Sequence, residues 1–377
     1  MSLSIPKFMK HHLVGTIALA ASIVTFASTS TSGFSEGLDG SHHRVRGAAS
    51  LQAKVTPDML RIGGIIGTAV GVSDGEEDAT LVIYIDKDHR SAKELVKALP
   101  SQIQGFTVRV EETERFRAYA GNAGAAATIS HTAGQALPIQ LGTSGGWRTD
   151  LANGYCCGGT LGALVQVNGV QYILSNYHVF ESDIVAGGNG LISTTGDAVI
   201  QPGLIDVGCV ASSAQSVASL RTLRSLPGAN VDCSVAEVIP GMVRTDGSIL
   251  EVGGLSSSTA APALRKAVKK SGRTTGLTRG SITGLNATVS ITYENECAGG
   301  TAFTKTFTGQ IVIGNRRNAF LNSGDSGSLL VEDISTRPRA VGLLYAGSST
   351  SAIANPIGDV LQFIGPKLGG TATMVGN

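Results

Sequence analysis

The 377-residue sequence has little charge and few aromatic side chains. Asp, Glu, Lys and Arg make up 15% of the residues, aromatic residues make up 5%, and there is a single Trp. Positive and negative charges nearly cancel, which leaves a formal net charge of +1. Binding of nucleic acid or of an anionic membrane surface would require a concentrated basic face. The charge balance therefore argues against both classes of partner, and we expect an uncharged or locally recognised one.

The sequence also lacks any cysteine or histidine spacing typical of a metal site. The five cysteines are at positions 156, 157, 209, 233 and 297, and no histidine clusters with them. We therefore expect neither a metal nor another cofactor. An odd number leaves at least one cysteine without an intramolecular partner, and the adjacent Cys156 and Cys157 are not expected to pair with each other. A disulfide between Cys209 and Cys233 is our prediction.

No apolar run is long enough to span a bilayer. The longest, over 13–26, follows Lys7 and Lys10 and precedes small residues that begin at Ala27. Its roughly 15 apolar residues fall short of the roughly 20 that a membrane anchor needs. This pattern predicts a signal peptide in residues 1–30. We expect a soluble mature protein, secreted or exported to an extracellular or periplasmic location where disulfides can form.

Hydrophobic residues, in contrast, make up 42% of the chain, and glycines number 50. This composition favours a compact, loop-rich β-protein over a disordered chain. Residues 50–120 predict a small α+β domain with the order strand, turn, strand, helix, strand. This domain follows the signal peptide, where a pro-segment would lie. A pro-segment and a permanent accessory domain are equal alternatives. Residues 121–150, rich in Ala, Gly, Ser and Thr, predict a linker, in which we expect His131 to be solvated.

Residues 151–370 contain short apolar runs separated by glycine-containing turns. The clearest hairpin has Asn168 and Gly169 at its turn, because both positions must accept a positive φ. Strands at this spacing indicate two antiparallel barrels or a sandwich.

Within this β-rich region, Ser326 in "GDSGS" is a candidate nucleophile. A serine hydroxyl needs a neighbouring base. Only His178 lies in the region, among the histidines at 11, 12, 42, 43, 89, 131 and 178. The imidazole needs a carboxylate to orient it, and Asp232, which opens an apolar alternation, is the best choice. Asp206 is the runner-up, followed by Asp183 and Asp197.

The order His178, Asp232, Ser326 is the chymotrypsin order, whereas subtilisins and α/β-hydrolases have other orders. Gly324 and Gly327 allow a sharp turn around the serine. The amides of Gly324 and Ser326 can then converge on a developing oxyanion.

The segments "LSNYHV", "NVDCSVAEV" and "GDSGSLL" resemble those of the trypsin-like (chymotrypsin-fold) serine peptidases. The segments at 271–284 and 342–361 are similar to a bacterial branch that resembles the plant narrow-leaf type peptidases. The resemblance, which extends over about 157–365, implies a mainly β protein with a double antiparallel β-barrel after the small α+β domain. It implies a secreted serine endopeptidase with a protein or peptide substrate, in which His178 is the general base, Asp232 its orienting group and Ser326 the nucleophile.

The resemblance also implies a primary specificity pocket. Its floor corresponds to Phe320, and Ala346, Gly347 and Ser348 lie along its wall. Residues 315–323 contain no acidic side chain, so a buried substrate cation would lack a partner. We expect a preference for small or medium uncharged side chains. The alternative is a preference for acidic residues, caused by Arg316 or Arg317.

Two other functions are compatible with these residues. One is a catalytically inactive binding module that kept the peptidase fold. The other is an esterase that uses the same three residues on small esters.

Overall fold

The computed structural model describes residues 38–72, 78–118, 129–152, 155–181, 193–293, 302–316 and 319–377. The predicted signal peptide, Asp183, Cys297 and Arg317 lie outside these ranges. In the described ranges, no helix has both the length and the apolarity required to cross a membrane.

The N-terminal region contains two helices and five strands. They are α1 (His43–Met59), β1 (Ile65–Val72), β2 (Ala79–Asp86), α2 (Ala92–Ala98), β3 (Gln102–Ile103), β4 (Phe106–Thr113) and β5 (Phe116–Ala118). The predicted strand, strand, helix, strand order is present. Strand β2 pairs antiparallel with β1 and parallel with β4, so α2 is the crossover that a parallel pair needs. Helix α1 was not predicted.

Among the described residues, the remaining elements form two large sheets, a separate two-stranded sheet and two further α-helices. The elements of the first half are β6 (Thr143–Trp147), β7 (Leu151–Ala152), β8 (Tyr155–Cys156), β9 (Gly159–Leu161), β10 (Ala163–Val167), β11 (Val170–Ser175), α3 (Tyr177–Phe180), β12 (Ala198–Gln201), β13 (Gln215–Arg221) and β14 (Ser234–Val238). Those of the second half are β15 (Ala267–Gly272), β16 (Gly276–Tyr293), β17 (Phe303–Gly314), β18 (Leu329–Glu332), β19 (Ala340–Gly347), β20 (Ser351–Pro356), α4 (Ile357–Lys367) and β21 (Thr373–Met374).

The two sheets confirm the double-barrel architecture. The first has the order β21-β10-β11-β14-β13-β12-β6-β9, and the second contains the path β15-β18-β19-β20-β17-β16, which the β15–β16 pairing closes. The hairpin between β10 and β11 turns at Asn168 and Gly169, with φ values of 51° and 79°. The turn residues therefore have the positive φ values that the sequence predicted.

The N-terminal region is continuous with the second barrel. Strand β1 pairs antiparallel with β16, and Gly67 lies opposite Val289. Val45 and Val70 share a hydrophobic cluster with Ile282 and Ile313 of the barrel. The α+β region is thus attached by a ladder of main-chain hydrogen bonds and by a shared core.

The segment predicted to be a linker precedes the first barrel and supplies one of its strands. His131 is buried, with 3% of its surface exposed, so the expectation of a solvated side chain was wrong. Its Nδ1 lies 2.8 Å from Gly142 O and its Nε2 lies 2.7 Å from Glu251 Oε2. Thr143–Trp147 forms β6, which pairs with β9 and β12. Small residues permit this close approach, because a Cβ on Gly145 would lie 2.4 Å from the Leu161 side chain.

The cysteines pair differently from the prediction. Cys156 and Cys209 form the disulfide, with their Cα atoms 5.6 Å apart, and Cys233 is a free, buried thiol. The predicted Cys209–Cys233 bond was wrong, because Cys209 follows the 3-10 turn Leu204–Val207 whereas Cys233 immediately precedes β14 inside the barrel. Cys157 is also disulfide-bonded.

Candidate active site

His178 lies on the one-turn helix α3, which begins two residues after β11 ends. Asn176 anchors this junction, because its Nδ2 donates to the main-chain oxygen of Asp232 at 2.7 Å. The junction that carries His178 is therefore anchored to the segment before β14. Only 10% of the His178 side chain is exposed.

Asp232 faces His178 from the turn before β14. Its carboxylate is fully buried, and Oδ2 lies 2.7 Å from His178 Nδ1. The Tyr177 main-chain N–H donates to Oδ1 at 2.7 Å, and the Tyr293 hydroxyl donates to Oδ2 at 2.9 Å. The Asp232 main-chain N–H donates to Asn355 Oδ1 at 2.9 Å. Both oxygens of the carboxylate are thus fixed, as a tautomer-selecting carboxylate requires.

Ser326 lies in the turn before β18 and is 3% exposed. Its main-chain oxygen accepts a hydrogen bond from Thr160 N at 2.9 Å. A Cβ on Gly159 would lie 2.6 Å from Val179 Cγ2 and 3.0 Å from Ser326 O. Gly159 is therefore in contact both with helix α3 and with the serine turn, and the absence of a side chain lets these two segments approach each other.

The Ser326 hydroxyl and the free nitrogen of His178 are not hydrogen-bonded to each other. The hydroxyl donates to Tyr345 O at 3.4 Å. His178 Nε2 is buried, and no residue in the described part of the chain forms a hydrogen bond with it. The site thus holds a histidine that is oriented through Nδ1, on a helix that approaches the serine turn at Gly159.

The glycines around Ser326 have the conformation that the sequence indicated. Gly324 and Gly327 both have a φ of 92°, which glycine adopts without steric cost. A Cβ on Gly327 would also lie 2.4 Å from Thr160 O. The convergence of the Gly324 and Ser326 amides on an oxyanion stays a prediction.

Asp325, the residue before the nucleophile candidate, forms a buried ion pair that sequence analysis missed. Its Oδ2 lies 3.3 Å from Lys270 Nζ, and both side chains are fully buried. The Thr274 and Thr275 main-chain N–H groups donate to Oδ1 at 2.9 and 3.1 Å. Burial lowers the pKa of Lys270, and the charge of Asp325 partly offsets this effect. The "GRTTG" turn between β15 and β16 thereby contacts the serine turn.

The other carboxylates proposed to orient the histidine have different partners. Asp206 pairs with Arg273, whose Nε lies 2.8 Å from Oδ2. Asp197 Oδ2 accepts from Trp147 Nε1 at 3.1 Å. Of the described candidates, Asp232 is the one that contacts His178.

The residues predicted to form the specificity pocket are buried. Three of them lie at the end of β19 or directly after it, and Phe320 lies before β18. Phe320 belongs to the second-barrel core, and a Cβ on Gly280 would lie 3.0 Å from its ring. Gly347 pairs with Arg117 of β5, and Ser348 Oγ accepts from Thr113 Oγ1 at 2.6 Å. Ala346 is buried, and Arg316 is exposed. The pocket itself stays a prediction.

No group of three or more His, Cys, Asp or Glu side chains that could hold a metal ion is present among the residues that the structure describes.

Sequence analysis missed two contacts of this site, Tyr293 with Asp232 and Lys270 with Asp325. The separations are 61 and 55 residues, so no local motif could reveal them. For the second contact, the one sign in the sequence is a lysine within the strand segment "AVKKSG". A lysine that is buried in such a strand needs a partner.

The family model described as the Nal1 C-terminal domain matches residues 230–354, a third of the chain. No match was found among curated proteins.

Several solved bacterial serine proteases are similar to this chain. A glutamic-acid-specific serine protease described as using a novel histidine triad in substrate binding is 16% identical, with 63% of this chain and 100% of that chain covered and a TM-score of 0.41. Thermobifida fusca protease A is 17% identical, with coverages of 63% and 99% and a TM-score of 0.40. Cellulomonas bogoriensis chymotrypsin is 20% identical, with coverages of 58% and 91% and a TM-score of 0.36. At these values the similarities carry no argument about activity.

Proposed function

We propose that this protein is a secreted serine endopeptidase with a His178–Asp232–Ser326 triad. The observation that carries the proposal is the 2.7 Å contact between His178 Nδ1 and the fully buried Asp232 carboxylate. That contact leaves the buried Nε2 of His178 as the available base beside the Ser326 turn. Acyl transfer by an activated serine requires such a base, oriented by a carboxylate and within reach of the hydroxyl.

In the proposed reaction, Ser326 Oγ adds to the peptide carbonyl carbon while its proton passes to His178 Nε2. The tetrahedral intermediate then expels the amine, which takes that proton from His178, and an acyl-enzyme remains. Water then attacks the acyl group and gives a proton to His178 Nε2. The second tetrahedral intermediate expels Ser326 Oγ, which takes that proton from His178, and the acid is released. The Ser326 hydroxyl must rotate away from Tyr345 O to do this, and catalytic hydrogen bonds commonly tighten only when substrate is bound.

The triad is tested with purified protein and the variants His178→Ala, Ser326→Ala and the double variant. We expect each single variant to lose peptidase activity and the double variant to be little worse, because triad members act as a unit. Circular dichroism serves as the control for folding. A fluorophosphonate should label the native protein, and Ser326→Ala should not be labelled. Full activity in His178→Ala would falsify the assignment.

Two alternatives have distinct outcomes in the same experiment. A folded native protein that neither cleaves casein nor reacts with the fluorophosphonate is a binding module. A protein that hydrolyses a short-chain ester through Ser326 but leaves casein and a peptide library intact is an esterase.

We also propose that the N-terminal α+β domain restrains the substrate site, either as a removable pro-segment or as a permanent accessory domain. One edge of β19 contacts the serine turn through Leu344 O, which accepts from Gly327 N at 2.9 Å. Further along β19, Gly347 pairs with Arg117 of β5. A peptide substrate adding to this edge as an extended strand would have to displace β5.

The fate of this domain is tested by N-terminal sequencing of the secreted protein. A mature start near residue 130 indicates that the domain and the signal peptide are both removed. A start near 30 to 50 indicates export with a permanent domain, and an intact residue 1 contradicts the signal peptide.

The match to the Nal1 C-terminal domain supports the resemblance to narrow-leaf type peptidases. We propose membership in that branch, with a protein or peptide as the substrate. Family assignment requires a match over the first barrel as well, because His178 lies before the matched residues.

A further inference from the structure

Tyr293 lies at the end of β16, and its hydroxyl donates to Asp232 Oδ2 at 2.9 Å. The same oxygen lies 2.7 Å from His178 Nδ1. The Tyr293 ring is stacked on Phe303, with centroids 4.9 Å apart and an interplanar angle of 14°. Its edge contact with the His178 ring has a centroid distance of 6.0 Å. The packing therefore fixes the direction in which the hydroxyl points.

The Asp232 carboxylate needs this donor because it is fully buried. A buried charge is costly unless hydrogen bonds compensate for the water that it loses. Tyr177 N supplies one donor to Oδ1, and Oδ2 is shared between Tyr293 and His178. Burial, together with the charge of Asp232, raises the pKa of Tyr293 well above its usual value. The phenol thus stays protonated and able to donate.

We propose that Tyr293 is a positioning residue that sets both the rotation of the Asp232 carboxylate and the basicity of the oxygen facing His178. A donor on each oxygen prevents the carboxylate from turning about its Cβ–Cγ bond. The hydroxyl also withdraws charge from Oδ2, which weakens its attraction for a protonated imidazole. Only the activity readout of this inference rests on the proposed function.

Removing the hydroxyl has two separable consequences. Oδ2 loses one of its two hydrogen-bond partners and keeps only His178, so the carboxylate is less well fixed, His178 is less well oriented and kcat falls. Oδ2 becomes more negative, so it stabilises the imidazolium more strongly and His178 stays protonated to a higher pH. A residue with a merely structural role would produce the first effect without the second.

Other titratable groups near Asp232 do not change in this variant. Cys233, Tyr177 and Tyr345 each have a pKa raised by burial, so all three are neutral near pH 7. Glu181 lies 3.5 Å from Arg224 and also hydrogen-bonds to Leu223 N. A shift seen on removal of the Tyr293 hydroxyl is therefore assigned to Tyr293.

The test compares Tyr293→Phe with the matched control Tyr84→Phe. Tyr84 belongs to the same hydrophobic cluster, and its buried hydroxyl has no hydrogen-bond partner in the described ranges. For Tyr293→Phe we expect kcat to fall about tenfold, KM to change less than about twofold, and the acid limb of the pH–kcat/KM profile to rise by about 0.5 to 1 pH unit. For Tyr84→Phe we expect no change in these quantities.

A second readout requires no activity. The His178 ring proton signal, identified by its loss in His178→Ala, is titrated by NMR in both tyrosine variants. We expect its midpoint to move to higher pH in Tyr293→Phe only. If the native protein lacks peptidase activity, the proposed function fails, and this titration still decides the role of Tyr293.

The inference is overturned if Tyr293→Phe changes neither the midpoint of the His178 NMR titration nor the acid limb of the pH–kcat/KM profile, even if kcat falls. If Tyr293→Phe does not fold, 3-fluorotyrosine is placed at position 293 instead. That side chain keeps the ring and the hydroxyl but donates more strongly, so the midpoint should move to lower pH. A midpoint that does not move overturns the inference in this case too.

Discussion

Replacement of Lys270 by Met tests whether the buried ion pair with Asp325 stabilises the serine turn. The change keeps the length of the side chain but removes the charge from a site where Nζ lies 3.3 Å from Asp325 Oδ2. Removing one partner of a buried pair generally costs about 3 to 5 kcal/mol, because the other charge stays buried without compensation.

The contacts of Asp325 place the expected loss at the lower end of this range. Its carboxylate keeps the N–H groups of Thr274 and Thr275 on Oδ1 and that of Asn322 on Oδ2, and it keeps the Thr275 hydroxyl at 2.7 Å. We therefore expect Lys270→Met to lower the free energy of unfolding by about 3 kcal/mol. Because Asp325 precedes Ser326, labelling by a fluorophosphonate should also slow.

The measurement is urea unfolding followed by the fluorescence of Trp147, which is the single Trp of the chain and is buried. Lys269→Met is the matched control on the same strand, because Lys269 Nζ donates to the main-chain oxygen of Ile334 at 2.8 Å. We expect that control to lose about 1 kcal/mol. The double variant Lys270→Met with Asp325→Asn should recover part of the loss. If Lys270→Met and Lys269→Met differ by less than about 0.5 kcal/mol and both label at the native rate, the ion pair does not have this role.

Three further predictions concern other parts of the molecule. Burial alone would raise the pKa of Glu114, but hydrogen bonds from Lys87 and Ser349 lower it to about 2, so its stabilising contribution is present above about pH 4.5 and is lost as pH falls toward 2. The side chains of Glu114 and Lys87 are 32% and 44% exposed, so Glu114→Gln should lower the free energy of unfolding by only about 1 kcal/mol at pH 7 and should not change it near pH 2. Denaturant titration measures both values, and an equal loss at the two pH values contradicts this prediction. Replacing Cys156 and Cys209 by Ser opens a loop with a sequence separation of 53 and should cost about 4 kcal/mol on the chain-entropy estimate; an unchanged urea midpoint at constant m contradicts this. A peptide library should be cleaved mainly after small or medium uncharged residues; cleavage mainly after Lys or Arg is inconsistent with Phe320 at the pocket floor, and cleavage after Glu favours Arg316 or Arg317.

Local sequence patterns were sufficient where the structure depends on near neighbours. Short apolar runs predicted strands where β14, β16, β17, β18 and β19 lie, and the Asn168–Gly169 pair predicted a hairpin whose turn requires positive φ. The small size of Gly324 and Gly327 likewise indicated the sharp turn around Ser326, because both have a φ of 92°. Each of these features depends on steric limits within a few residues.

Helix α1 and the burial of His131 were missed because both depend on distant packing. The buried residues of α1 include Val45, Ala48 and Leu51, and they face β1 and the second barrel rather than a local partner. His131 is enclosed because Gly142 O lies 2.8 Å from its Nδ1 and Glu251 Oε2 lies 2.7 Å from its Nε2. A composition rich in small residues gives no sign of such contacts.

The sequence by itself determined the inventory of chemistry: one histidine in the β-rich region, a serine between two glycines, and an aspartate at the start of an apolar alternation. It favoured Asp232 over Asp206 as the partner of His178, because Asp232 begins an alternation of apolar residues, but it left both candidates open. Only the tertiary structure decided this, because the turn before β14 lies beside α3 whereas Asp206 lies beside Arg273. It also decided that Cys156 pairs with Cys209 and that Tyr293 and Lys270 contact the acidic residues of the site. The physical reason is that these contacts join residues 53 to 67 positions apart in sequence, and only the register of the strands and the closure of the barrels fix which of them meet.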